Sequence, residues 1–243
     1  VIERSEIQFG LTPIPYLIRR SDRRTTVALT IEERGKLVVT APEDVSIDRL
    51  NAVVRRKAPW VVERIKRRSD APPPPSDREF VDGETVLYLG RQYRLKVVEA
   101  TVGRKSRIAA GWYHVTIPRG LRGETRRLTV RRVLRGSVKE RADLYLPGRL
   151  ADVAARLRME KPSLIVREQR KRWGSCDSKG VLRINWRIVQ APIPCIEYVL
   201  VHELAHLHHR NHDREFWRAV SRWLPGYEDE RDRLRKLGPQ LEW

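Results

Sequence analysis

Five consecutive residues, His202-Glu203-Leu204-Ala205-His206, constrain this chain more tightly than any figure of composition. In an α-helix the two histidines differ by about 40° and stand about one turn apart, so both imidazoles reach one divalent ion only if the stretch is helical. Ile196, Val199, Leu200, Leu204 and Leu207 recur at the matching period, which predicts a helix over 194–209 with a buried face. Glu203 lies one step round, where it reaches a water at that ion without ligating it, the place of a general base. Any fold for this chain must therefore turn the end of an apolar helix toward a cleft.

A further histidine, His212, follows His206 after a short gap. Three imidazoles with a fourth position left to water make the donor set of a catalytic zinc site, whereas a structural site is closed by a fourth protein ligand. The helix must stop before 212 for that ring to turn back, and Asn211, which tolerates left-handed backbone, is the expected stop. His209 is the rival third ligand. It lies about 20° from the face of His202 but about 10 Å along the axis, so it can pair with His206 but not with both, and His212 is favoured. The implied cofactor is Zn2+ or another divalent metal. His114, alone in a predicted strand, reads as a surface or packing residue.

Fifty Lys and Arg against 31 Asp and Glu leave a formal charge of +19. That excess favours an anionic partner without choosing among nucleic acid, nucleotide and acidic surface. A hydrophobic fraction of 40% with 7 Trp excludes a disordered basic tail. Zinc-finger spacing, an RNP sequence and a concentrated basic tail are all missing, so a nucleic-acid partner is not favoured. No apolar run approaches the roughly 18 residues of a membrane span, and Val1 to Gly10 lacks the apolar stretch of a signal peptide. Cys176 and Cys195 form no CxxC pair, which fits a reducing, cytoplasmic location. The chain begins at Val1 and not at Met, which leaves room for an upstream segment.

The rest of the chain reads as α+β. Tyr16–Arg19, Thr25–Ile31 and Lys36–Thr40 predict a three-stranded meander. Ser46 caps a helix with apolar positions at Leu50, Val53, Val54, Trp60, Val61 and Ile65, and Pro59 kinks it or starts a second one. Pro72 to Pro75, with no amide donors, predict an extended connector. Two hairpins follow, around Gly90-Arg91 and around Gly111. Past Gly120 to Gly123 the pattern becomes helical, with a break expected at Pro147-Gly148. Strands at Leu164–Arg167 and Leu182–Trp186, a helix from Asp213 to Trp223 and another after Tyr227 complete it. The expected division is a β-rich N-terminal domain with a helical insertion, 1–122, followed by an α+β domain, 123–243, that carries the HExxH helix.

Arg167, Arg170, Lys171 and Arg172 surround Glu168 and lead into Trp173 and a predicted Gly174-Ser175 turn. One reading is a plain connection with Trp173 in the core. The other is a phosphate pocket made of Arg, a stacking ring and free amides beside the metal. Asn185 and Arg187, two apart on a predicted strand, share a face and project toward the ion. Arg172, Arg187 and Tyr198 are the candidates for stabilising a developing anion. Ser175 or Cys176 as nucleophile lacks a base that the sequence places. Phe216, Trp217, Val220 and Leu224 read as packing behind the ligand loop.

Arg172-Trp173-Gly174-Ser175-Cys176, Asn185-Trp186-Arg187, the run from Tyr198 to Leu207, Asn211-His212 and Phe216-Trp217 together resemble the YgjP-like metal-dependent hydrolases, relatives of the SprT-like and WLM zinc metallopeptidases. Arg19-Arg20-Ser21, Asp82-Gly83-Glu84 and Tyr88-Leu89-Gly90-Arg91 extend the likeness over nearly the full chain. The resemblance implies a zincin-like C-terminal domain, zinc on His202, His206 and His212, and Glu203 as catalytic acid and base. It implies a hydrolase with one of two substrates on the same metal site. These are a peptide, as in a metallopeptidase, and a nucleoside triphosphate, as in a nucleotide pyrophosphatase that splits UTP to UMP and pyrophosphate.

Overall fold

The computed structural model describes residues 2–32, 35–69, 78–101, 106–169 and 171–241; the expected connector Pro72 to Pro75 and Arg170 lie outside them. Two units divide at Pro73 and Pro74. In the first, β1 (Ile2–Phe9) pairs antiparallel with β2 (Thr12–Arg20), and β3 (Ala28–Ile31) and β4 (Leu37–Ala41) complete a sheet of order β1-β2-β4-β3. The expected meander is therefore wrong in two respects: a strand precedes it, and β2 and β4 are parallel neighbours. Burial explains the order. Leu37, Val38, Val39 and Ala41 of β4 are all buried and demand the sheet interior, whereas β3 buries only Ile31 and takes an edge. β1 conceals itself in the sequence because Glu3, Arg4 and Glu6 sit on the other edge, where charge blocks further pairing.

Ser46 does cap α1 (Ile47–Arg56), accepting from the Arg49 amide at 3.4 Å, and Pro59 lies in the first turn of a second helix, α2 (Ala58–Ser69). The restart rephases the apolar stripe. Ala58 and Val61 are buried, while Trp60, expected on the inner face, is 43% exposed.

The second unit opens with the two expected hairpins, β5 (Thr85–Tyr88) with β6 (Arg91–Ala100) and β7 (Ser106–Ala109) with β8 (Trp112–Pro118). A parallel β6–β8 pairing joins them in the order β5-β6-β8-β7. α3 (Gly123–Arg156), β9 (Leu164–Arg167), β10 (Gly174–Cys176) and β11 (Leu182–Asn185) follow, then a 3-10 turn at Trp186–Gln190. The last helices are α4 (Ile193–Ala205), α5 (Arg214–Trp223) and α6 (Tyr227–Leu237).

The division expected at residue 122 falls instead at the prolines. Val86, Leu95, Tyr113 and Val115 of the sheet share one core with Val130 and Leu134 of α3 and with Ile196 and Leu200 of α4. Two hairpins with one apolar face cannot close a core alone, so that face needs α3 as its cover. The break expected at Pro147 is also absent. A proline inside a helix costs about 3 kcal/mol, but Leu146 and Leu150 on either side are fully buried at roughly 1.5–3 kcal/mol each, so burial wins. Asp143, whose carbonyl loses its amide partner, is exposed and open to water.

The β5–β6 hairpin also steadies the start of α4. The Leu89 amide donates to the Val189 carbonyl at 2.7 Å, and a Cβ on Gly90, at φ 76°, would stand 2.7 Å from Pro192 Cα. Gly90→Ala is expected to cost at least about 1–3 kcal/mol from left-handed strain, with more from the clash against backbone. Gly83→Ala carries a positive φ with nothing within 4 Å, so it isolates the strain alone. Thermal unfolding should place Gly90→Ala several degrees below Gly83→Ala; equal midpoints would refute the contact. Among the described residues no helix is long and apolar enough to cross a membrane.

Candidate metal centre

α4 ends at Ala205, earlier than the periodicity suggests. The amides of Leu207 and His208 bond back to the Leu204 and Ala205 carbonyls at 3.1 Å, tightening the last turn in 3-10 fashion. Asn211 is not among the residues with positive φ, so the expected left-handed stop is replaced by this tightening. Asp213 then starts α5, its carboxylate accepting from the Phe216 amide at 2.9 Å. The segment between the two helices folds His212 back until its Nε2 lies 3.0 Å from Nε2 of His202.

His202, His206 and His212 each offer a ring nitrogen, all within 4.8 Å of one another. The ring of His209 is not in the cluster. Its carbonyl instead faces His206 Nδ1 at 2.9 Å; a proton donated there leaves Nε2 of His206 with a free lone pair, the way a ligand imidazole is oriented. Phe216 lies beneath all three, with ring centroids 4.9, 4.7 and 4.7 Å from those of His202, His206 and His212. Trp217 covers His202 and His212 at 5.8 and 5.7 Å. These contacts give Phe216 and Trp217 the backing role read from the sequence.

The electrostatics suit a cation. Burial, with the neighbouring His206 and His212, holds His202 down at about 3, and burial with His206 lowers His212, so both rings are neutral and able to ligate near neutral pH. Two nitrogens at zinc-ligand distance from one tetrahedral ion stand about 3.3 Å apart, close to the 3.0 Å between His202 and His212. Without a shared proton or a cation between them, two facing lone pairs would repel. The donor set therefore fits a divalent ion of zinc type.

Glu203 is buried beside this cluster and its Oε2 has no hydrogen-bond partner among the described residues. Burial pushes its carboxyl up to about 8, against a downward pull from Arg172. It lies so close to β10 that a Cβ on Gly174 would meet its carboxylate carbon at 2.7 Å. Gly174→Ala is thus expected to displace the carboxylate and to lower turnover about 10- to 100-fold with metal content unchanged, the order of effect of an ångström-scale misplacement. Kinetics on the metal-loaded protein test this, and an unaltered rate would mean that Glu203 has room to spare.

A cleft of about 560 Å³ fronts the histidines, bounded by Arg172, β10, Glu203 and Arg210. Of the residues expected to bind substrate, only Arg172 lines it. Asn185 ends β11 and works behind the wall, its amide donating to the carbonyls of Gln169 at 2.8 Å and Arg172 at 3.3 Å. The strand stops there, so the alternation that would set Arg187 beside Asn185 fails at the 3-10 turn. Arg187 is buried, paired with Glu168 at 2.8 Å and stacked over Trp186. Trp173 packs against the core and does not line the cleft. Tyr198 stacks on Tyr227 behind His202, and burial pushes its hydroxyl up to about 12.

Two features of the cleft escape the sequence. Gly174–Cys176 is not a turn but the edge strand of the β10-β11-β9 sheet, antiparallel to β11. Gly and Ser hide it, because they carry no strand propensity. Arg210 has no signal beyond its place between His206 and His212.

The profile of the YgjP-like family, metallopeptidase domain, matches residues 25–237, and the chain belongs to that family. It is thus a metallopeptidase-type, metal-dependent hydrolase. No curated protein matches it significantly. Among solved structures, the metallopeptidase zymogen abylysin of Pyrococcus abyssi is similar at 25% identity, with a TM-score of 0.34 over 37% of this chain and 91% of that one. The zymogen jannalysin of Methanocaldococcus jannaschii is similar at 19% identity, with a TM-score of 0.32 over 37% and 92%.

Proposed function

We propose that this chain is a zincin-like metallopeptidase in which His202, His206 and His212 hold one Zn2+, or another divalent ion, and Glu203 moves the proton. The observation that carries the reading is the buried Glu203 Oε2, without a hydrogen-bond partner among the described residues, in the same cleft as the three clustered ring nitrogens. When bound, the ion supplies Lewis acidity, making water at the site more acidic and polarising the scissile carbonyl. With a cation held by the three histidines, the Glu203 carboxyl is drawn back down from about 8 toward its ionised form, in which it takes the proton from water and returns it to the leaving amine. Arg172, at the cleft wall, is the group that neutralises charge developing on the carbonyl oxygen. Among the described residues no strand pairs with the outer edge of β10 along the cleft, and an extended peptide adds to such an edge by main-chain hydrogen bonds.

One observation favours a second substrate. Arg172 and Arg210 both line the cleft and neither has an ion-pair partner among the described residues, which suits a phosphoanhydride such as a nucleoside triphosphate. Against it, Trp173 faces the core and offers no platform to a base. The deciding experiment gives the metal-loaded protein an unfolded polypeptide and a nucleoside triphosphate panel, with a chelated control. New peptide termini by mass spectrometry, lost on chelation, are expected. Pyrophosphate release with intact polypeptide would transfer the site to the second reading.

A further inference from the structure

The outer face of the β5-β6-β8-β7 sheet takes no part in the core or the metal centre. Leu95, Tyr113, Val115 and Ile117 point inward and are buried, so strand alternation turns Arg94, Lys96, Arg107, Trp112 and His114 to the other side. Register sets Arg94 directly opposite Trp112, and in the next outward row Lys96 opposite His114, which faces Arg107. Arg94 and Arg107 are exposed, and neither has an ion-pair partner among the described residues. Lys96 pairs with Asp82 at 2.6 Å. Trp112 is half-buried, and its ring meets no aromatic ring or cation among the described residues, unlike Trp186 beneath Arg187 or Trp217 against Tyr227. A cleft of about 790 Å³ opens beside it, lined by Gln92, Tyr93, Arg94 and Trp112.

We propose that this face binds single-stranded nucleic acid, with a base stacked on Trp112 and phosphates held by Arg94, Arg107 and Lys96. Cations alone would suit any polyanion. What selects nucleic acid is an indole beside Arg94 in one row and next to the row of Lys96 and Arg107, because backbone charge and base stacking are the two contacts a single strand offers. A half-buried ring on a sheet face stacks on an unpaired base and cannot reach one already stacked inside a duplex, so duplex is not the preferred ligand. The net charge of +19 is spread over the chain, but here Arg94 and Arg107, with Lys96 paired to Asp82 beside them, coincide with a ring that has no aromatic or cationic partner among the described residues. The inference is independent of the metal site.

The test is fluorescence anisotropy of the full chain with a labelled single strand of about 20 nucleotides at about 50 mM salt. Arg94→Glu/Arg107→Glu should weaken binding at least tenfold. Arg55→Glu/Arg56→Glu, two exposed α1 positions with the same change in charge, should weaken it less than threefold. Trp112→Ala should lose about 5- to 100-fold, and Trp112→Phe, which keeps a stacking ring and guards against misfolding, should stay near wild type. Three phosphate contacts predict a log–log salt slope of about −2. Equal losses in the two charge-reversed pairs would assign binding to bulk charge, and an unaffected Trp112→Ala would remove the stacking platform. Displacement by polyglutamate as readily as by unlabelled oligonucleotide would make the face a site for acidic protein. Any of these results, or no binding at all, overturns the proposal.

Discussion

Glu203→Gln is expected to keep its metal and to lose turnover by roughly 10²–10⁴-fold, the range contributed by a positioned general base. The substitution is close to isosteric, which matters because Glu203 is 4% exposed and packed against Gly174. An amide keeps that shape while removing the capacity to accept a proton. Among the described residues Oε2 has no hydrogen bond to break, and a carboxyl that burial already pushes up to about 8 is replaced by a neutral group. The thermal midpoint should therefore not fall, and loss of activity would report chemistry, not unfolding. Kinetics paired with elemental analysis test the assignment: a variant that retains both metal and rate would remove Glu203 from proton transfer.

His212→Ala should lower metal affinity by more than about 100-fold, beyond the 10- to 100-fold that removal of a supporting partner costs. Its ring is one of the three clustered donors, and its Nε2 directly faces that of His202. His209→Ala is the informative contrast, because His209 supports His206 through its main-chain carbonyl, which alanine retains. Affinity in that variant should stay within a few-fold of wild type. Chelator competition measures both, and the reverse ranking would hand the third ligand position to His209.

The helix that carries His202 and Glu203 is legible because its information is local. Apolar spacing sets the buried face, and the two histidines one turn apart fall on the cleft side. His212 is legible for a similar reason, since a short segment can place it only near the helix end. Asn185 and Arg187 defeat the strand pattern because alternation does not continue past the end of β11. Asn185 caps the 3-10 turn by accepting from the Arg187 amide at 3.2 Å, a local side-chain contact that ends the strand. The boundary expected at residue 122 fails because composition changes there without any gap in packing. β10 is invisible because what makes Gly174 strand-like is pairing with Ile184 and the nearness of Glu203, both distant in sequence.

The β5–β8 sheet has one side sunk into the shared core with α3, while on the other side Val98 is 39% exposed and Arg94 and Lys96 are open to solvent. Substitutions at alternate residues of the same strand therefore carry unequal costs in stability. A change at Leu95 or Val97 disturbs the packing against α3 that supports the candidate metal centre, whereas a change at the exposed Arg94 leaves that packing alone. In a lineage of such chains, new recognition can accumulate on the outer residues at almost no cost to stability, at every second position along β6, while the inner residues keep the hydrolase intact.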